Sequence, residues 1–409
     1  MKTPSRRAGA AAACFFFLGS TLCICQPLPR SILCRDGNAN FSATFRTGVN
    51  VHIGAAHRGD GTTLATRSCA ANLSWEKGEL PVAADASQID LDAFGADLGD
   101  GIPVAAFQVK KSAADCCMEY RIYSLEKPPR LLRTIKGGEF FSASDVDLDG
   151  SVEIWTNDAA AVDGFEKLSL GELSAPTVVF RLARGQLRDV SVEFQSYFDR
   201  EIAKTRAEIH LRDLEDFKNS DGKLASSPTP ESADEVHRLR MVKIKVLEIV
   251  WAYLYSGRDQ EAWRSLAEMW PGEDIHRIRV ATMNTHEMGA HRQAEVTSAG
   301  PVGEKKKHTH IFDAVTRETS HKLEVTPPKA ILLERTGVPE GQPGMAETDV
   351  LLDLVIDAAG KVRSVEPFNK GRMISPGWVG SATTWKFIPA FKDGRPVASR
   401  LRIDVSPKQ

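Results

Sequence analysis

The chain has 409 residues, with 52 Lys and Arg against 54 Asp and Glu, a formal net charge of −2, and 42% hydrophobic and 7% aromatic residues. At roughly 100 to 200 residues per domain, this length predicts about two to four domains. The near-zero charge excludes a protein whose main partner is nucleic acid, because such domains carry a strongly basic face, and the composition excludes a disordered tail protein.

Lys2, Arg6 and Arg7 precede an uncharged run from Ala8 to Ile24 that is rich in Ala, Phe and Leu. This is the pattern of a secretory signal peptide. Cys23 and Cys25 are small enough for the −3 and −1 positions of a cleavage site, so residues 1–25 are expected to be removed and Gln26 to begin the mature chain. The alternative is an uncleaved anchor in the inner membrane, although 17 apolar residues sit at the bottom of the spanning range of about 17 to 25. The expected location is periplasmic or secreted, with no integral membrane segment after cleavage.

Of the cysteines, Cys34, Cys69, Cys116 and Cys117 remain in the mature chain. In an exported protein they predict two disulfides. Sequence neighbours do not easily bond each other within the usual Cα separation, so Cys116 and Cys117 are each expected to reach back to Cys34 or Cys69.

Residues 26–188 read as an all-β domain. Short β-type runs, such as Val104 to Val109, Tyr120 to Ser124, Val152 to Thr156 and Thr177 to Leu182, are separated by Gly, Pro and Asp clusters. Within it, Asp145, Asp147 and Asp149 stand at alternate positions, Gly150 supplies a sharp turn, and Ser151 and Glu153 lead into a strand. Ca²⁺ takes about six to eight oxygens, and this spacing lets one loop curl its acids around one ion. Without a cation the four acids would repel one another. Thr156 stands where an EF-hand needs its bidentate Glu, which excludes that variant. The loop resembles the Asp-rich calcium loops of FG-GAP and VCBS-type repeats, and a degenerate copy stands at Asp97-Leu98-Gly99-Asp100-Gly101. The resemblance implies two or three blade-like units and a structural Ca²⁺. A closed propeller needs at least about four blades, so a partial propeller or a sandwich is expected.

Residues 189–290 change to a helical period. Phe194, Phe198, Ile202, Ile209, Leu214 and Phe217 predict a segment closed by Ser220-Asp221-Gly222. Ser232 and Glu235 form a capping-box signal for a helix carrying Val236, Leu239, Val242, Val246, Val250 and Tyr253. Gly257 breaks it, and a shorter helix runs from Glu261 to Trp270. This hairpin is similar to a tetratricopeptide unit, which implies a small helical domain whose Trp and Tyr residues are core. Residues 291–326 read as a linker. His286 and His291 approximate a zinc-protease motif, but they are five apart and two ligands on one helical face need a spacing of about four. His308, His310 and His321 offer a zinc alternative to a solvated basic linker. Arg58-Gly59-Asp60 reads as a chance tripeptide at a turn. No nucleophile elbow, phosphate loop or dinucleotide fingerprint is present, and a non-enzymatic protein is expected.

Residues 327–409 predict β-β-α-β: a strand at Leu351 to Ile356, a turn at Asp357 to Gly360, a strand from Lys361 and a helix near Trp378 to Trp385. An Asp393-Gly394 hairpin and a last strand from Val397 to Val405 complete a two-layer α/β unit. From about residue 345 onward the segment resembles the TonB C-terminal domain family, on Asp357-x-x-Gly360-x-Val362, Trp385-x-Phe387-x-Pro389-Ala390 and Asp393-Gly394-x-Pro396-Val397 in that order. The resemblance implies a periplasmic domain that binds envelope proteins by adding an extended segment to a sheet edge. Ser399, Leu401, Ile403 and Val405 mark the candidate edge strand. An energy transducer of that family also carries a membrane His and a Pro-rich spacer, and this chain has neither. The whole is therefore expected to be a multi-domain α+β interaction or transport-accessory protein. The alternative is a Ca²⁺-dependent protein that binds carbohydrate or another surface ligand.

Overall fold

The computed structural model describes residues 34–38, 40–56, 68–224, 232–294, 310–314, 317–332, 350–368 and 376–405. The expected signal peptide, Arg58-Gly59-Asp60 and His308 lie outside them.

The N-terminal region is all-β, as its punctuation predicts. After the short β1 (Cys34–Arg35), the strands β2 (Asn40–Thr44), β3 (Asn50–Ala55), β4 (Cys69–Trp75) and β5 (Gly78–Ala86) form one antiparallel meander. A second follows with β6 (Gln88–Asp97), β7 (Pro103–Lys110), β8 (Met118–Ser124) and β9 (Leu131–Gly138), and β1 pairs with the other edge of β6. The third comprises β10 (Phe141–Ser144), β11 (Glu153–Asn157), β12 (Thr177–Ala183) and β13 (Gln186–Asp189), with α1 (Ala159–Val162) between β11 and β12. A disulfide joins Cys34 to Cys69 across a Cα separation of 6.0 Å. This corrects the expected connectivity: with those two sulfurs spent on each other, Cys116 bonds its neighbour Cys117.

The helical layer is α2 (Gln195–Ala207), α3 (Leu211–Lys218), α4 (Ala233–Tyr255), α5 (Asp259–Met269) and α6 (Ile275–Met288). Ser232 is the N-cap of α4, and Gly257, at φ 74°, turns the chain between α4 and α5. The apolar faces of these helices do not close on themselves. Phe198, Phe217, Trp251 and Trp270 share one buried cluster with Ile135, Ile154 and Phe180 of the second and third meanders.

The C-terminal part contains β14 (Phe312–Asp313), α7 (Arg317–Lys322), β15 (Val325–Thr326), β16 (Lys329–Leu332), β17 (Val350–Ile356), β18 (Val362–Pro367), α8 (Pro376–Ala382), β19 (Lys386–Ile388), β20 (Ala390–Lys392), β21 (Arg395–Val397) and β22 (Ser399–Val405). Its main sheet runs β14-β22-β17-β18, and Trp385 and Phe387 pack over Leu352, Leu354 and Ile356. The expected linker 291–326 is thus partly built into this unit, since β14, α7 and β15 come from it. Asp393 and Gly394, at φ 50° and 79°, make the hairpin that their sequence predicts. Among the described residues no helix is long and apolar enough to cross a membrane.

The C-terminal unit is not a detached module. Ile388 and Phe391 enter the same buried cluster as Phe45, Phe94 and Phe107 of the first two meanders. The guanidinium of Arg46 lies 4.0 Å from the Phe391 ring centre and donates to the Gly394 carbonyl at 2.8 Å.

Candidate functional site

The Asp-rich loop joins β10 to β11. β10 is the edge strand of the third meander, so its outer N–H groups need partners, and unpaired buried donors are costly. Side chains from three distant places supply them in a row. Phe141 N–H donates to Gln108 Oε1 at 2.7 Å, Ala143 N–H to Asp92 Oδ2 at 2.7 Å, and Asp145 N–H to Asp357 Oδ2 at 3.1 Å. The edge of β10 is thereby the seam between the second meander, the third meander and the C-terminal unit.

Beyond the seam the loop folds back on its first acid. The fully buried carboxylate of Asp145 accepts from the N–H groups of Asp149 and Gly150, each at 3.0 Å, and Asp149 Oδ1 accepts from Ser151 N–H at 2.7 Å. Leu148 and Gly150 take left-handed backbone, at φ 58° and 86°. For Leu148 that conformation costs about 1–2 kcal/mol, which the local hydrogen bonds must offset. One carboxylate oxygen from each of Asp145, Asp147 and Asp149 lies within 4.8 Å of the others. Opposite oxygens around a Ca²⁺ are about 5 Å apart, given ligand distances of about 2.3–2.6 Å, so the three acids fit one ion. Among the described residues this is the one such group of three or more ligands.

Glu153 is fully buried, and its Oε1 pairs with Arg181 at 2.6 Å. Its Oε2 is buried and accepts no hydrogen bond. A buried carboxylate oxygen with no hydrogen-bond partner is uncommon in a folded protein, but Glu153 does not join the three acids that lie within 4.8 Å of one another. Burial lifts Asp145 to about 8, and the charges of Asp357, Asp149 and Asp147 add to the rise against the Gly150 hydrogen bond. Burial also lifts Glu153 to about 8 despite Arg181, with Asp147 and Asp145 adding repulsion. Of the predicted ligand residues the structure brings together Asp145, Asp147 and Asp149; Ser151 gives its N–H to Asp149, and Glu153, the first residue of β11, lies outside that group and pairs with Arg181 instead. If a Ca²⁺ is bound, Asp145, Asp147 and Asp149 hold it directly, and it supplies positive charge and loop order rather than chemistry.

The degenerate upstream copy is built differently. Asp97 Oδ1 accepts from the N–H groups of Gly99 and Gly101 at 2.8 and 2.9 Å, and Asp100 caps Gly185 N–H at 2.8 Å. Its carboxylates are spent on backbone, and a side chain at Gly99 would meet the Leu182 carbonyl at 1.9 Å.

Asp357, the first residue of the turn that ends at Gly360, is fully buried and organises that turn. Its Oδ1 accepts from Ala359 and Lys361 N–H groups, both at 2.9 Å, while Oδ2 takes Arg363 Nε at 2.7 Å beside the Asp145 N–H. Gly360, at φ 83°, accepts Phe387 N–H at 3.0 Å, and any Cβ there would lie 1.9 Å from the Phe387 carbonyl oxygen. The spacing Asp-x-x-Gly thus fixes how β17 and β19 approach.

Sequence reasoning missed a second set of charges at this seam. Lys386 pairs with Asp90 at 2.7 Å, and Lys361 pairs with Asp92; all four side chains are buried. Gln108 Nε2 donates to Asp90 at 3.0 Å and the Tyr120 hydroxyl to Asp92 at 2.6 Å. Burial pushes Asp90 up and Lys386 down, each opposed by the partner's charge. Their sequence signal is present but faint: Asp90 and Asp92 interrupt a largely apolar strand, and Lys361 and Lys386 stand inside the motifs Asp357-x-x-Gly360-x-Val362 and Trp385-x-Phe387.

The remaining candidates separate. His286 stands in the last turn of α6 with its ring edge-on to Tyr255, and Gly289 ends the helix, so His286 and His291 do not share one helical face. His310 packs edge-on to Phe312, and His321 lies in α7. The predicted edge strand needs correction at its start, because β22 lies between β14 and β17. Phe312 and Asp313 pair in parallel with Ser399 and Arg400, and Ser399 is fully buried. Leu401 and Ile403 are half-buried and pack on the C-terminal core, while the Val405 side chain lies outside the described residues. Among the described residues no strand pairs with the outer edge of β22 beyond Arg400.

No protein-family model, curated protein or solved structure matches the chain. Its own geometry carries the functional argument.

Proposed function

We propose that this chain is an exported envelope protein that acts as a protein–protein interaction or transport-accessory module. Its C-terminal unit, read as TonB C-terminal-like, takes an extended partner segment on the outer edge of β22. The observation that carries this reading is the pairing of β14. Phe312 N–H donates to the Ala398 carbonyl at 3.0 Å and Ala314 N–H to the Arg400 carbonyl at 3.1 Å, so the edge already accepts a parallel strand from its own chain. Because alternate residues of a strand present their backbone groups to the same side, Arg402 and Asp404 continue that row outward. The three four-stranded meanders support the partial-propeller reading of the N-terminal region, and the fit of Asp145, Asp147 and Asp149 supports a structural Ca²⁺ there.

A photo-crosslinking residue at position 404 of the intact chain, expressed in its own envelope, tests the reading. A covalent adduct to a second polypeptide through residues 401–405 is expected, in a processed form beginning near Gln26. Adducts that are absent, or that form equally at a control position on β5, contradict it. A second reading, Ca²⁺-dependent binding of carbohydrate or another surface ligand by the β region, draws on the orphaned Glu153 oxygen. It requires glycan binding that is lost in both Asp145→Ala and Asp147→Ala.

A further inference from the structure

The two disulfides stand in opposite environments. Cys34 and Cys69 are fully buried in the same cluster as Val51, Ile53 and Ile89, and they close a span of 35 residues. Because the constraint on the unfolded chain grows with the length of the closed loop, this bond is a staple. Cys116 and Cys117 close only the peptide between them, which constrains the unfolded chain hardly at all. They lie in the β7–β8 connection, where Lys111 to Cys116 are all exposed and Cys117 is half-buried. The stabilisation that accounts for the first bond is therefore missing from the second.

The connection is shaped by its own backbone. Ser112 N–H donates to Asp115 Oδ2 at 2.9 Å, Ala114 N–H to Ser112 Oγ at 3.2 Å, and Asp115 N–H to the Ser112 carbonyl at 3.2 Å. At its base Glu119 pairs with Lys111 at 2.7 Å, Arg121 at 2.5 Å and Lys136 at 3.6 Å. Three cations against Glu119 and Asp115 leave net positive charge at this end of the hairpin, which favours a thiolate over a thiol. The Cα atoms of Cys116 and Cys117 are 3.8 Å apart, below the usual range of about 4.4–6.8 Å, and a bond outside that range is more readily reduced. Exposed bonds of this kind are the ones that exchange with thiols.

We propose that Cys116 and Cys117 form a thiol–disulfide exchange site that accepts electrons from an accessible dithiol, while Cys34–Cys69 stays closed. A thiolate of the dithiol attacks Sγ of Cys116, the more exposed sulfur. The bond to Cys117 breaks, a mixed disulfide forms on Cys116, and Cys117 leaves as the thiolate. The second thiolate of the donor then attacks the donor sulfur of the mixed disulfide, which releases Cys116 as a thiolate and the donor as its own disulfide. Two electrons pass from the donor to the cysteine pair, and the two protons of the donor thiols pass to solvent or to the new cysteine thiolates. The site is independent of the partner-binding and cation readings.

Differential alkylation and mass spectrometry of the intact, natively folded chain over a series of dithiothreitol concentrations tests this. Cys116 and Cys117 are expected to open to two alkylated thiols at a concentration at least about 100-fold below that needed for Cys34 and Cys69, with circular dichroism and Tm unchanged. With glutathione, a monothiol, the mixed disulfide is expected on Cys116. Reduced thioredoxin at an equal dithiol concentration separates the donors: faster opening than with dithiothreitol assigns a protein dithiol, and equal or slower opening a small one. The double variant Cys116→Ala, Cys117→Ala is expected to lose the low-concentration reaction and keep the wild-type Tm. Opening of both bonds at the same dithiothreitol concentration overturns the proposal, as does a fall in Tm of the double variant as large as that caused by opening Cys34–Cys69, which would make the pair a staple. A glutathione adduct confined to Cys117 overturns the order of attack.

Discussion

Asp145 and Glu153 are two buried acids whose ionisation the fold opposes, and their pH dependence has a definite sign. Both are lifted to about 8 in the folded chain, against unfolded values of about 3.9 and 4.3. Between those limits the folded state binds more protons than the unfolded one, so cation-free stability falls as pH rises from about 4 to about 8. The charged groups facing them are Asp147, Asp149, Asp357 and Arg181; Arg181 offsets the trend at Glu153 and the Gly150 hydrogen bond offsets it at Asp145. A metal ion that requires the ionised acids releases their protons on binding, which makes it tighter at high pH. Thermal unfolding in a chelator is therefore expected to show Tm dropping between pH 5 and pH 8, by about 2–4 °C for each kcal/mol lost, and added Ca²⁺ to restore more at pH 8 than at pH 5. A chelated Tm that is flat or rising over that interval contradicts the assignment of these two acids.

At the level of elements, the open length of β22 is the feature with a functional consequence. Its outward backbone groups at Arg402 and Asp404 are the proposed docking row. Asp404 is exposed, whereas Arg402 is tied to Asp353 at 2.6 Å and lies over Phe368. Proline removes one outward N–H and is tolerated at a strand edge, so with the crosslinking residue moved to position 402, Asp404→Pro is expected to abolish the partner adduct that the same probe gives with Asp404 in place, while stability falls by less than the loss of a core contact would cause, on the order of 1 kcal/mol or less. Retained crosslinking in Asp404→Pro contradicts strand addition at this edge. The strands themselves were legible where a local pattern decides them: β17, the Asp393-Gly394 hairpin and the α4–α5 break at Gly257 follow from periodicity and turn chemistry. The position of β22 inside its sheet was not, because its covering strand β14 comes from a polar stretch with no β pattern of its own, held by the Phe312 ring against Lys392 and by two backbone bonds. The cysteine pairing was illegible for a similar reason: the partner of Cys34 depends on how β1 and β4 meet across 35 residues of sequence.

Over the whole molecule, the sequence divides into modules more sharply than the structure does. Three resemblances at separate stretches suggest three separable parts, yet the helices share a core with the second and third meanders and the C-terminal unit lends Ile388 and Phe391 to the first two. The seam is charged as well as apolar. Removing one partner from a buried ion pair such as Asp90–Lys386 leaves the other uncompensated, a loss of about 3–5 kcal/mol, and deleting the C-terminal unit does this twice. Such long-range pairs leave almost no trace in a local pattern, which is why Asp90, Asp92, Lys361 and Lys386 carried no sequence prediction. The convergence of the loop acids was legible because Asp145, Asp147 and Asp149 stand two residues apart in one turn, so their spacing alone brings their carboxylates within 4.8 Å of one another.

The sheet proposed to bind a partner and the loop proposed to bind a cation are joined in one body by the contacts of the seam, and scanning calorimetry of the intact chain tests that most directly. In a chelator and in Ca²⁺ it is expected to unfold in a single transition, moving upward as a whole when Ca²⁺ is added, because a ligand of the native state stabilises everything that unfolds with its site. Two resolved transitions, of which Ca²⁺ shifts only one, contradict it: the C-terminal unit is then an independent module, and the contacts across the seam do not couple it to the loop.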